Sequence, residues 1–582
     1  MKELRENYPL FNVTPIQSLQ ELLRTAVART PTELALEDLA ATPVAKVTFA
    51  ELLEQVVRFG RALRRLGLTG RDHVAIMAEN RVQWAIAYLA VVTFDMIVVP
   101  VDKSLPDNEV VTILHASDAK AVVFSESFRD TVLTLAPAVK GLRYFVDMDL
   151  PSRDGKLHAM TELLAAEQGP AGVDDFPPAD PDALAVIVFT SGSMGRAKGV
   201  MLSQRNITAN LVGMLSMVEL LPSDRFLSVL PLHHTYECTC GLLCPLFASS
   251  SVHFSRSLKT VVEDLQRVKA TILLAVPLLY DKMYRRITAS LEEKKLLAAL
   301  MPSLKAVARL GEVVGVDDAR RKLFRRVHER FGGAIRIFIA GGAAPDPEVA
   351  AGLRALGFTF LQGYGLTETS PILTLNRLRN FRDDAAGLPL ANVEVKILSP
   401  DAEGRGEIIA RGPSVMLGYY KDEEATRQVI RDGWFHTGDV GAFDADGFLH
   451  ITGRKKNVIV ARNGKNVYPE EIEEQVGRIP FVLEAAVYGA RAADGDEEIC
   501  VSIVPNAEEF VRHAERSGVA VTPELVERVI DREIRALNRQ LPPHKQIRRI
   551  RIRESEFAKT TTQKIKRHLI HEEPDHSTGL SS

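Results

Sequence analysis

HVAIMAENRVQWAIAYLAVVTFDMIVVPV, residues 73–101, decides the fold class. Its two short apolar runs, HVAIM and MIVVPV, lack the polar alternation of a half-exposed strand, and between them VQWAIAYLAVVTF is long enough for a helix. Strand, helix, strand is the reading. Upstream, Thr48 and Glu51 have the spacing of a capping box ahead of ELLEQVVRFGRALRRL, whose apolar residues recur at helical spacing. Downstream, NEVVTILHA reads as a helix and KAVVF as another strand. Such alternation predicts a parallel sheet covered by helices on both faces.

The stretch EQGPAGVDDFPPADPDA, residues 167–183, is rich in Pro, Gly and Asp and predicts a loop or linker, after which the alternation resumes. Between Lys396 and Ile409 short strands and turns take over, consistent with a smaller β-rich subdomain. The next break is at GRKKN. Beyond it EEIEEQVGRI, LEAAVYGA, EICVSIVP, PELVERVIDREIRALNRQL and QIRRIRIRE outline a compact α+β unit, and the polar HEEPDHSTGLSS that closes the chain predicts disorder. No internal repeat is present.

At 582 residues the chain exceeds what one hydrophobic core supports, so at least two domains are expected. Lys plus Arg number 72 against 75 Asp plus Glu, which gives no bulk attraction to nucleic acid or anionic lipid, so any anion site must be local. The N-terminus has no uninterrupted apolar stretch of the secretory kind. The most apolar region, 238–254, is too short and interrupted to span a membrane. A cytoplasmic enzyme is expected, with peripheral membrane contact left open. With four cysteines, Cys238, Cys240, Cys244 and Cys500, a disulfide framework is not credible, and CTCGLLC has no second cluster to complete a tetrahedral metal site. Buried free thiols are expected instead.

The sharpest local feature is FTSGSMGRAKGVMLS, residues 189–203, after the strand-like ALAVIVF. It reads as a phosphate loop: its glycines let the backbone approach an anion, Thr190, Ser191 and Ser193 offer hydroxyls, and Lys198 a mobile charge. The G-x-x-x-x-G-K-[ST] spacing of P-loop NTPases does not occur.

Further segments come in order along the chain: PLHHTYE from Pro231, AGGAAP from Ala340, QGYGLTETSP from Gln362, GWFHTGDVG from Gly433, GRKKNVIVARNGKNVYPEEIE from Gly453, and KTTTQKIKR from Lys559. With these the chain resembles, from about Ser18 to Arg567, the adenylate-forming superfamily of acyl-CoA synthetases, adenylation domains and luciferases, and most of all long-chain fatty acid–CoA ligases. The resemblance implies a large N-terminal domain of stacked α/β subdomains with a β-rich subdomain, residues 1–453. It implies a small mobile α+β C-terminal domain, 454–567, hinged at Lys456; a disordered tail, 568–582, is expected after it. It implies ATP, Mg2+ and coenzyme A as cofactors and a fatty acid as substrate. Glu368 is then the Mg2+ ligand, Thr367 bonds the α-phosphate, Tyr364 packs on adenine, and Gly341 and Gly342 keep the wall thin. Asp439 accepts the ribose hydroxyls, Arg454 contacts the ribose, and Lys564 reaches the carboxylate oxygen and α-phosphate. Ser191, Gly192, Gly195, Ala343, Gly365 and Gly464 complete the nucleotide-binding set, with Thr190, Ser193 and Lys198. His234 stands where relatives carry an aromatic group that parts acyl pocket from nucleotide; a plain buried histidine is the alternative. Tyr236 and Glu237 read as pocket structure, and GLLCPLFA either lines an acyl tunnel or simply fills a core.

The chain departs from the family pattern at Ala197 and Ala558, where Pro is usual, at Gln563, where Gly is usual, and at Asn466, where some relatives carry Arg. The first three remove no charged or catalytic group, whereas Asn466 lacks the charge that Arg would direct toward the phosphate. The basic segments DDARRKLFRRVHERF and IRRIRIRE read as solvated faces, with coenzyme A phosphates or lipid headgroups as the alternative. Two rival functions stay open: an acyl-AMP ligase loading a carrier protein, against which the short path from Thr369 to Val393 speaks, and a non-catalytic binding protein, against which retention of Lys198, Glu368, Asp439, Arg454 and Lys564 speaks.

Overall fold

A computed structural model describes residues 10–190, 197–292, 319–460, 465–491, 497–559, 565–570 and 578–579. The capping box forms as its spacing predicts: Glu51 N–H donates to Thr48 Oγ1 at 3.3 Å and Thr48 N–H to Glu51 Oε2 at 2.8 Å. The helix it starts, Phe49–Arg65, buries Leu52, Val56, Phe59 and Leu63 on one face. His73–Met77 and Ile97–Pro100 are buried throughout, and the helix Val82–Thr93 between them is buried from Trp84 to Thr93.

Among the described residues, an eight-stranded sheet runs in the order 418–419, 198–203, 184–190, 97–100, 73–77, 119–124, 144–147, 157–159. The strands from 184–190 to 157–159 are parallel, and the two at the other edge are antiparallel. A nine-stranded sheet runs 388–389, 372–375, 359–365, 337–340, 272–275, 225–228, 251–254, 34–38, 45–48, again with a parallel centre and antiparallel edges.

Successive strand residues point to opposite faces, so an unbroken apolar strand must feed two cores. Val74 and Ile76 enter one large cluster while Ala75 and Met77 enter another. In the nine-stranded sheet Ile272, Leu274 and Ile337 enter that same large cluster, and Leu273, Ala275 and Phe338 enter a third. The shared cluster therefore lies between the sheets, where the helices Leu19–Arg29, Phe49–Arg65 and Val82–Thr93 are packed. Trp84, 1% exposed, stacks on Tyr88 there at 5.3 Å, and truncating such a ring costs about 3–5 kcal/mol.

The expected loop at 167–183 is irregular but for one short turn, Val173–Asp175. Among the contacts that tie it down are an ion pair of Asp175 with Arg61 and the Phe176 ring edge-on to Phe94.

The chain falls into two compact units. One gathers residues 1–395, 410–435 and 445–449; the other gathers 396–409, 436–444 and 450–582. Residues 396–409, 436–444 and 450–453, expected before the domain boundary, thus group with the C-terminal part. Strand pairing explains part of this, since Leu449–Arg454 is the sheet neighbour of Trp434–Phe443. The second unit also holds the strands Val482–Arg491, Glu497–Pro505 and Arg549–Ile552, with the helices Pro469–Gly477 and Pro523–Asn538 packed on them through Ile472, Val476, Val529 and Ile534. The expected disorder of the tail does not extend to Ile570, which is buried, or to Thr578–Gly579, which pairs with Arg549–Ile550. A sheet edge offers unpaired N–H and C=O groups, and polar sequence does not prevent the backbone from using them.

Candidate active site

In parallel sheets ligands collect where strands end at their carboxyl termini. Strand 359–365 ends at Gly365, whose hypothetical Cβ would stand 1.7 Å from Pro371 O, so only glycine fits there. The chain then turns through Thr367–Thr369, presenting Thr367 and Glu368 half-buried. Glu368 is fixed from the other sheet: Tyr419, on the short strand Gly418–Tyr419 beside 200–201, donates its hydroxyl to Glu368 Oε1 at 2.9 Å. Met416 N–H donates to Glu368 O at 2.9 Å and Leu417 N–H to Met201 O at 2.9 Å, so the backbone holds this meeting as well. Burial and the Glu368 carboxylate push the Tyr419 hydroxyl well above its ordinary pKa, which keeps it a donor. The Lys198 ammonium lies 4.8 Å from the Tyr419 ring centroid. Lys198, Tyr419 and Glu368 thus form one cluster.

Tyr419 was not found by sequence reasoning; SVMLGYY carries no spacing rule that marks it. Thr190 ends strand 184–190 and bonds Lys198 O at 3.4 Å, while Ser191, Gly192, Ser193 and Gly195 lie outside the described residues. Gly341 comes directly after strand 337–340 and is pressed by Tyr236, whose ring a Cβ there would meet at 2.5 Å. Gly342 and Ala343 are exposed just beyond, and Tyr364 packs beside the shared core.

Next to these strand ends lies a small apolar cavity of about 40 Å3. Ala340 and Gly363, from the strands that carry AGGAAP and QGYGLTETSP, form part of its wall, along with Tyr236, Cys240, Cys244, Met214 and Phe226. PLHHTYE leads into the helix Tyr236–Leu243, which has the wide turns of a π-helix. His234 is half-buried just before it, its ring 4.1 Å from that of His233. Inside that helix Glu237 is 1% exposed, and burial, opposed only by the Ser228 hydroxyl, pushes the carboxyl up to about 8. The neighbouring thiols are buried and unpaired, with Cys238 and Cys244 pushed up to about 12, which makes them inert packing groups.

In the second unit, Asp439 on strand 434–443 is 4% exposed and receives Arg454 Nε at 2.8 Å from the end of strand 449–454. The predicted ribose pair is therefore one charge-assisted contact. Lys456 sits in the turn Lys455–Asn457, where desolvation and the nearby Arg454 lower its pKa. Lys564 and Gly464 lie outside the described residues. The residues flanking Lys564 are pinned: Lys559 forms a bridge with Ile565, Lys566 N–H donates to Ala558 O at 2.8 Å, and Arg567 Nη1 donates to Val487 O at 2.9 Å.

The profile of a family described as AMP-binding enzyme matches residues 23–420, and that of the AMP-binding enzyme C-terminal domain matches 471–564. The long-chain-fatty-acid–CoA ligase FadD15 of Mycobacterium bovis is 29% identical over 560 residues, 90% of each chain. The peroxisomal long chain acyl-CoA synthetase 6 of Arabidopsis thaliana is 30% identical over 469 residues, 76% of this chain and 66% of its own length. Among solved structures, ATP-bound MatB from Rhodopseudomonas palustris superposes with a TM-score of 0.74 at 25% identity, covering 95% of this chain and 98% of that one.

Proposed function

The chain belongs to the AMP-binding enzyme family, and from that membership we propose that it activates a medium- to long-chain fatty acid with ATP as acyl-AMP and passes the acyl group to coenzyme A. One observation carries the fatty-acid reading: the apolar cavity shares Ala340 and Gly363 with the strands whose next residues are the nucleotide motifs. An acyl tail lying in it would bring its carboxylate to those strand ends. The kinship with ligases of long-chain fatty acids supports the same choice.

In this reading the carboxylate attacks the α-phosphate, pyrophosphate leaves, and a thiol then displaces AMP. Glu368 suits a hard cation, since it offers carboxylate oxygen and one of its oxygens is already oriented by Tyr419. A Mg2+ held there would supply neutralisation of phosphate charge. Lys198 and Thr190 serve the phosphates, Thr367 the α-phosphate, Tyr364 the adenine and Asp439 with Arg454 the ribose. Lys564 stabilises the negative charge that gathers on the transferred group. His234 separates acyl from nucleotide, and Lys456 is the hinge between the two steps. The four cysteines, none of them in a disulfide, support a cytoplasmic setting, and among the described residues no helix is long and apolar enough to cross a membrane.

The test is carboxylate-dependent exchange of labelled pyrophosphate into ATP with saturated acids from acetate to stearate, and then thioester detection with and without coenzyme A. Exchange peaking at medium or long acids and coenzyme A-dependent thioester are expected. Exchange with acetate alone, or no exchange with any acid, overturns the reading.

A further inference from the structure

A second, smaller cavity, of about 10 Å3, is walled by Tyr88, Pro100, His233, Thr235 and Cys238. His233 is the unusual member of that wall. It is 8% exposed, yet its Nε2 has no hydrogen-bond partner. Leaving a buried ring nitrogen unpaired costs about 1–3 kcal/mol, so the sequence carries a polar group here at a loss unless something binds it.

What faces it is a set of metal-ligating atoms. Asp102, just past strand 97–100, turns Oδ2 to 3.5 Å from His233 Nε2, while its Oδ1 is held by Ser104 N–H at 2.8 Å. His234 adds a second imidazole, and one ligand atom from each of Asp102, His233 and His234 lies within 4.8 Å of the others. The backbone around the set is anchored, since Asn80 accepts from Leu232 N–H at 3.0 Å and donates to Leu230 O at 2.6 Å.

We propose that Asp102, His233 and His234 form a binding site for a borderline divalent transition-metal ion, of which Zn2+ is the type. Two imidazoles and one carboxylate are the donor set of such an ion, whereas Mg2+ demands an octahedron of oxygens. Zinc bonds of about 2.0–2.1 Å set ligand atoms roughly 3.3 Å apart, so the widest separation must close by about 1.5 Å, within reach of imidazole rotation, and a fourth position stays open to water. The Ser104 contact to the far carboxylate oxygen is the supporting bond that metal ligands carry. The bound ion ties the loop after strand 97–100 to the segment before the π-helix and fixes the His234 ring. Only that last consequence touches the acyl-site reading; ion binding is independent of it.

Full-length protein stripped with a chelator and desalted is titrated with Zn2+ against a chromophoric chelator, without nucleotide or Mg2+. One Zn2+ per chain is expected, unaffected by millimolar Mg2+, and Asp102→Asn and His233→Gln each weaken it by more than about 100-fold. Thermal unfolding without metal checks that both variants fold, and added Zn2+ raises the Tm of the unaltered chain alone. Co2+ in place of Zn2+ gives ligand-field bands without thiolate charge transfer. Absence of stoichiometric Zn2+ binding, variants that bind as tightly as the unaltered chain, or a thiolate band pointing to Cys238 or Cys240 overturns the site.

Discussion

The Tyr419 hydroxyl donates to Glu368 Oε1 at 2.9 Å, and so joins the edge of the eight-stranded sheet to the carboxyl end of a strand in the nine-stranded one. Fifty-one residues separate the two in sequence, and neither contact surface is local to its own motif. The bond orients the carboxylate assigned to the metal, and the same ring carries the Lys198 ammonium on its face.

Replacing Tyr419 by Phe removes that bond and keeps the ring. The kcat of acyl-adenylate formation should fall about ten-fold, with a raised Mg2+ requirement, while Lys198 keeps its aromatic partner. Steady-state kinetics across a Mg2+ titration is the measurement. An unchanged Mg2+ dependence would detach Tyr419 from the metal role.

Lys564→Ala should lower the adenylation rate by about 100- to 1000-fold, the scale on which removal of one charge-stabilising donor acts. Thioester formation from acyl-AMP supplied ready-made should be far less affected. Equal losses in the two half-reactions would remove the division of labour assigned to this lysine.

Cys244→Phe places a ring in the wall of the apolar cavity proposed to take the acyl chain. The ratio of kcat/KM for palmitate to that for octanoate should drop by at least about ten-fold, because loss of room for terminal methylenes costs binding energy per group. Overpacking will also lower stability by about 1–3 kcal/mol. A preserved ratio in a folded variant would show that the acyl chain lies elsewhere.

Glu237 gives a pH prediction with a definite sign. Its folded pKa, about 8, stands above its ordinary value of 4.5, so the folded chain keeps a proton that the unfolded chain releases. That group's contribution is neutral below pH 4.5 and turns against the fold as pH rises through the interval to about 8, by on the order of 5 kcal/mol in total. The isosteric Glu237→Gln carries no such loss. Denaturant unfolding of both proteins between about pH 5 and pH 8 should show the variant gaining steadily on the parent; a constant difference would mean that the carboxyl is ionised or solvated.

Sequence periodicity located the helix Phe49–Arg65 and the strands His73–Met77 and Ile97–Pro100 to within a residue or two, because capping and apolar runs act over a few positions. The Gly365 and Gly341 motifs were also legible, since a backbone that must come within contact of Pro371 or Tyr236 admits no side chain. The domain boundary was less so. Residues 396–409 and 436–444 precede GRKKN in the chain yet group with the C-terminal residues beyond it, a matter of long-range strand pairing.

The chain's order of apolar runs, turns and glycine-rich motifs by itself determined an α/β architecture, membership of the AMP-binding enzyme family, and the residue types Lys198, Glu368, Asp439 and Arg454 at their places. Only the tertiary structure decided that Tyr419 holds Glu368, that His233 turns Nε2 toward Asp102, and that Glu237 is sealed from water. The reason is physical. Propensity, capping and periodicity act between near neighbours, whereas a site is made by side chains that meet after distant strands have paired, and burial, which sets pKa and donor strength, exists only once they have.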